Sequence, residues 1–241
     1  MKKHFPPMLN CMRKGYVFCI FVYWILGIVL FPMYMPLIAN GLWDNFAAIS
    51  WVEIVYHAIN AVVMILAMQE HLSDAFFEVR YNAKGILKTV AVALGLMLAW
   101  AAICTLLFGL SLMIDMFPVA EFTVSLTAGF LVENNPLFGA VCMTLLVPFG
   151  ICGLFYASGF STVAYKNTKL AYPVVAVLLL LPHVFDILWR GQTFDVLFTY
   201  VLQLPIHLFA CWSYQKTDCV WTPIFALSAF NLLASAVCIL V

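Results

Sequence analysis

Charged residues are scarce in this chain: Asp, Glu, Lys and Arg make up 9% of its 241 residues, against 66% apolar. A soluble domain of this length cannot hide so much apolar surface, so the shortage of charge excludes a water-soluble globule. Net charge is lacking too, because 11 basic residues balance 11 acidic ones, and that excludes the basic face a nucleic acid needs. Alternating polarity over segments of about ten residues is missing, which excludes a closed β-barrel. Eight cysteines are present but no CxxC pair, so neither a zinc knuckle nor a dithiol redox site is expected. Cys19, Cys104, Cys142, Cys152, Cys211 and Cys238 sit singly in apolar runs and read as small hydrophobes. HExxH and GxSxG are absent, and Ser158 and Ser161 have no histidine at a telling spacing. There is no internal repeat, no low-complexity tract and no polar tail long enough for a second domain. The opening Met-Lys-Lys is followed by no small-residue cleavage site, so the first apolar run is expected to be retained.

What is present is a series of apolar runs of about twenty residues, the length a helix needs to cross a bilayer. The mean hydropathy is +1.05 and aromatics make up 16%. The expected fold is therefore all-α, a polytopic transmembrane bundle of about seven spans. These are Tyr16–Ile38, Phe46–Met68, Ile86–Ile114, Leu137–Ser158, Ala171–Trp189, Phe194–Trp212 and Thr222–Val241. Lysine and arginine orient it. With the N-terminus inside, Lys2, Lys3, Arg13, Lys14, Arg80, Lys84, Lys88, Lys166, Lys169 and Lys216 share the cytoplasmic side, and Arg190 alone lies outside. The C-terminus then lies outside.

Two connections are long enough to hold structure. In Gln69 to Gly85, Leu72, Ala75, Phe76 and Val79 recur at helical spacing, which predicts a short helix at the membrane surface. Asp115 to Asn135 carries only acidic charge and reads as a re-entrant or interfacial segment. Pro148, Pro182, Pro205 and Pro223 fall inside spans, where each frees a carbonyl. Gly150, Gly153 and Gly159 allow close helix approach.

Polar residues inside hydrocarbon are costly and mark candidate sites. Glu53, His57 and Asn60 fall at i, i+4 and i+7, hence on one helix face. His183, Asp186 and Arg190 line a face of the fifth span, Gln203 and His207 the sixth, and Asn231 the seventh. Structural duties compete with functional ones at each. Asp186 and Arg190 can pair within the helix, His57 can bond Glu53, and Asn231 can bridge two helices. His183, His207 and a carboxylate could be drawn together around a metal, but no local spacing supports it. No cofactor or metal is expected.

Asn134 to Ala234 resembles a known family. Asn-Asn-Pro-Leu at 134–137 opens a helix that runs on through Leu-Leu-Val-Pro-Phe-Gly-Ile-Cys-Gly-Leu-Phe-Tyr-Ala-Ser-Gly. A short basic loop, Ala-Tyr-Lys-Asn-Thr-Lys-Leu-Ala-Tyr-Pro, precedes a helix with His183. Ser-Tyr-Gln-Lys-Thr-Asp-Cys-Val-Trp-Thr-Pro-Ile then leads to Asn231. This order is similar to that of the intramembrane CAAX proteases and bacteriocin-processing enzymes, the abortive-infection family. The resemblance divides the chain into N-terminal membrane helices, 1–133, and a protease-like helical core, 134–241.

The departures matter as much as the matches. Ile151 and Cys152 stand where the family has paired glutamates, Tyr156 replaces an arginine, Leu179 a phenylalanine and Leu227 a histidine. His183 and Asn231 match. In the family a glutamate is thought to activate water; Ile151 has no atom to take a proton, and Cys152 in apolar surroundings is an inert thiol. The resemblance thus implies a multi-pass protein of a bacterial cytoplasmic membrane that is a pseudoprotease, binding a membrane-inserted peptide or partner without cutting it. Its polar lining would be His183, Asn231 and Asp186, with Glu53, His57 and His207 as further candidates. The alternatives are an active divergent endopeptidase using Glu53, and a small transporter or transporter subunit. The bilayer itself is the one partner composition requires.

Overall fold

The computed structural model describes residues 46–114, 131–190 and 194–240. Among these it is all-helical, with no strand. Helix α1 spans Phe46–Ala67 and breaks at Met68, whose backbone leaves the helical region. Helix α2, Gln69–Tyr81, is amphipathic, with Leu72 and Ala75 buried. It meets α3, Ala83–Ile114, at Asn82, where Asn82 N–H still reaches the Glu78 carbonyl at 2.9 Å and Ile86 N–H reaches Asn82 at 3.0 Å.

Helix α4, Pro136–Lys166, begins with proline in its first turn, where a missing N–H costs nothing. Helix α5, Thr168–Arg190, is started by Asn167, whose side-chain oxygen accepts from the backbone N–H groups of Lys169 at 3.1 Å and Leu170 at 3.4 Å. Helix α6, Phe194–Thr217, carries Pro205 inside it. Helix α7, Trp221–Leu240, follows a tight turn at Asp218, which adopts a positive φ of 59°.

Four described helices are long and apolar enough to cross a membrane: Ser50–Ala67, Ala83–Leu107, Pro136–Lys166 and Trp221–Leu240. The chain is therefore a membrane-type helical protein. Helices α5 and α6 occupy the ranges expected for the fifth and sixth spans. The first expected span, Tyr16–Ile38, lies outside the described residues, as does most of the segment Asp115 to Asn135.

Helix α3 packs on α6 and α7, α5 on α6 and on the second half of α4, and α1 and α7 on the first half of α4. The main core joins Met64, Met68, Met97, Tyr156, Phe160, Val175 and Ile224. A smaller cluster of Ile54, Leu131, Cys142, Met143 and Val147 fills the space between α1 and α4. Helix α2 forms where expected, and it is held against the turn between α6 and α7. Trp221 Nε1 donates to the Leu72 carbonyl at 3.0 Å, and the Cys219 thiol donates to the Ala75 carbonyl at 3.6 Å. One detail departs from the expected apolar face: Phe76 is 51% exposed. It stands at the edge of that face and meets Trp221 edge-on, with ring centroids 6.3 Å apart.

Candidate functional site

The irregular element of the bundle is α4, and its irregularity can be followed bond by bond. Cys142–Leu146 is wound as a π-helix, so Val147 N–H reaches the Cys142 carbonyl five residues back. The next donor in that register would be residue 148, which is proline and has no N–H. The Met143 carbonyl is thus left open, and Asn231 of α7 fills the gap: its Nδ2 donates to that carbonyl at 2.8 Å. Asn231 is buried, so its amide is committed to holding α7 against the loosened turn.

A second π-helical run, Cys152–Phe160, follows. Along it hydroxyls bond back to carbonyls of the same helix: Ser158 donates to Leu154, Ser161 to Ala157, and Thr162 to Ser158 at 2.6 Å. Such back-bonding bends a helix, and π-helical turns concentrate at functional sites.

A polar seam runs beside this second run. On α6, Gln203, His207, Cys211 and Gln215 recur at every fourth residue and so share one face. The Tyr156 hydroxyl and His207 Nδ1 are joined at 2.7 Å, with Tyr156 fully buried. Cys152, one turn before Tyr156, and Cys211, one turn after His207, are fully buried. Tyr172 of α5 donates its hydroxyl to Gln215. Above the seam, Trp100 Nε1 donates at 2.7 Å to the carbonyl of Leu202, in the turn that Pro205 loosens.

The face carrying Glu53, His57 and Asn60 turns toward α4. Gly150 and Gly153 make the approach possible: a Cβ at Gly150 would lie 2.8 Å from Asn60 Nδ2, and one at Gly153 2.9 Å from Met64 Sδ. His57 meets Tyr56 edge-on, with ring centroids 5.4 Å apart. Asn60 Oδ1, Thr144 Oγ1 and Gln203 Nε2 are buried and have no hydrogen-bond partner among the described residues.

The expected site residues therefore fall into two groups along α4. Asn231 reaches its first π turn, at Met143, and Glu53 stands beside Ile54, which packs on that turn. His207 reaches its second, thirteen residues further on at Tyr156, about 20 Å away along the helix. His183 and Asp186 lie on α5, but their side chains fall outside the described residues. Ile151 and Leu179 are half-buried, whereas Cys152, Tyr156 and Leu227, the other positions that depart from the protease pattern, are buried. Among the described residues no three His, Cys, Asp or Glu side chains surround a common point as metal ligands would.

Sequence reasoning did not single out Tyr172, Gln215 or Trp100, and it treated Tyr156 only as a lost arginine. The four-residue spacing on α6 was the available signal. At the far end of the bundle, burial lowers the pKa of His71 below 6.5 while Asp74 opposes the shift, and burial raises that of Cys219. Cys219 belongs to the contact between α2 and the α6–α7 turn. Compared with known proteins, the chain matches no family model, no curated protein and no solved structure.

Proposed function

We propose that this chain is a multi-pass protein of the cytoplasmic membrane that binds a membrane-inserted peptide or partner beside its broken fourth helix and does not cut it. It crosses seven times, with the N-terminus inside and the C-terminus outside, and uses a scaffold of the CAAX-protease type. The observation that carries this reading is the state of Asn231. A group retained from the protease pattern is spent on the Met143 carbonyl, while buried Tyr156 and Cys152 occupy positions where charged chemistry would be needed. A helix with two π runs and several unpartnered buried polar atoms offers hydrogen bonds to an extended backbone in hydrocarbon, where such bonds are scarce.

The test is a reconstitution in liposomes with a farnesylated CAAX peptide and a bacteriocin leader peptide. Saturable binding without cleavage, weakened by His183→Ala, is the expected result. Cleavage that disappears in both Glu53→Gln and His183→Ala would instead establish a relocated catalytic base and overturn the proposal.

A second reading, a small transporter or transporter subunit, is favoured by the same π runs, since broken helices line transport paths. It predicts solute flux in those liposomes in the absence of any peptide.

A further inference from the structure

The junction of α2 and α3 carries an arrangement that the peptide-binding reading leaves unused. Phe77, Tyr81, Lys84 and Lys88 form a short exposed stretch across Asn82, where the backbone leaves the helical region at φ −123° and ψ 34° and α2 gives way to α3. Arg80 adjoins it. Phe77 is 54% and Tyr81 90% exposed, and the three basic side chains are exposed as well. Among the described residues, Arg80, Lys84 and Lys88 have no hydrogen-bond or ion-pair partner. Glu70 and Asp74 belong to the preceding turns of α2, Glu78 lies between Phe77 and Arg80, and the first turn of α3 contains no acid.

Depth in the bilayer decides what such a stretch meets. The apolar crossing of α3 begins at Ala83. At 1.5 Å per residue Lys88 lies about 7.5 Å inside that start, so its ammonium must snorkel back to the headgroups. The exposed Tyr81 and Phe77 belong to the surface helix α2, which the break at Asn82 separates from the crossing, and they sit at the level where aromatic rings anchor helices. The cations therefore converge on the phosphate layer, beside rings suited to the acyl boundary.

We propose that the α2–α3 junction is a binding site for anionic phospholipid headgroups of the cytoplasmic leaflet. Arg80, Lys84 and Lys88 surround the phosphate, and Phe77 and Tyr81 seat on the first acyl carbons. The leaflet assignment rests on the orientation proposed above; the site itself does not.

The test is native mass spectrometry of the full chain in detergent, titrated with phosphatidylglycerol or phosphatidylcholine. Wild type is expected to prefer phosphatidylglycerol by about tenfold, the effect of a few interfacial cations. The variant carrying Arg80→Gln, Lys84→Gln and Lys88→Gln should fall to within about twofold. Lys166→Gln, Lys169→Gln and Lys216→Gln together remove the same charge from exposed positions on α4, α5 and α6, and should leave the preference intact.

Equal loss in both triple variants, or no loss in the first, overturns the site. The Phe77→Ala and Tyr81→Ala pair keeps every positive charge and should weaken phosphatidylglycerol binding; unchanged binding refutes the role of the rings. Soluble glycerol 3-phosphate should not displace the lipid, and displacement would make this a free-phosphate site instead. Binding in detergent is independent of insertion direction and of any peptide, so its failure leaves the proposed function standing. Failure of peptide binding likewise leaves this site standing.

Discussion

Asn231 and Pro148 form one unit although 83 residues separate them in the numbering. A proline in a π-wound turn leaves a carbonyl without a donor, and in hydrocarbon water cannot supply one. Asn231→Ala should therefore cost about 1–2 kcal/mol of stability in detergent, the range for a buried interhelical hydrogen bond. In a Pro148→Ala background residue 148 regains an N–H for the Met143 carbonyl, and the same Asn231→Ala change should cost less than half as much. A double-mutant cycle from reversible unfolding reads the difference. Equal costs in both backgrounds would show that the asparagine does something other than replace the missing donor. Tyr156 and His207 follow the same logic, each satisfying the other in an interior that offers few alternatives.

At the scale of elements, glycine positions separate contact faces from lipid faces. A Cβ on Gly139 would run into the backbone carbonyl of Leu131, a group that cannot swing aside, whereas Gly95 of α3 has nothing within 4 Å of the place a Cβ would take. Gly139→Ala should then destabilise the start of α4 by about 1–3 kcal/mol or more, as overpacking does. Gly95→Ala should be neutral or stabilise α3 by about 0.5–1 kcal/mol through helix propensity. Thermal unfolding of the two variants in one detergent checks both. A Gly139→Ala protein as stable as wild type would mean that the 131–139 turn is not packed as described. Gly150 and Gly153 are intermediate, since the atoms they would meet belong to Asn60 and Met64 side chains, which can shift.

At the scale of the whole molecule, the alternation of helices carries the exposed cations Lys84, Lys166, Lys169 and Lys216 to the end where α2 touches Trp221. The Tyr172–Gln215 bond ties the start of α5 to the close of α6 at that same end. In spheroplasts, Lys84→Cys and Lys169→Cys should react with an impermeant maleimide only after lysis, while Leu240→Cys should react at once. Background should be low, because Cys104, Cys142, Cys152, Cys211 and Cys219 are buried; Cys11, Cys19 and the half-buried Cys238 are replaced by serine for the assay. Labelling of Lys84→Cys and Leu240→Cys from one side would rule out the proposed orientation.

Hydropathy and helical spacing were enough to place α1 through α7, the surface helix α2 among them, because burying apolar length and satisfying the backbone are local demands. Helix α4 runs on to Lys166 and α6 to Thr217, beyond the expected ends at Ser158 and Trp212. The shared face of Glu53, His57 and Asn60 was legible for the same reason. Spacing could not say that this face would meet Gly150 rather than α5, or that Asn231 would close on the carbonyl Pro148 leaves open. Nor could it pair Tyr156 with His207, since which polar faces meet depends on how the helices rotate about their axes. Rotation is decided by contacts between residues distant in the chain, such as Met64 on Gly153 and Trp221 on α2. Where the helices lie and which polar faces they carry follow from the amino-acid order alone; the partners those faces find were settled by packing.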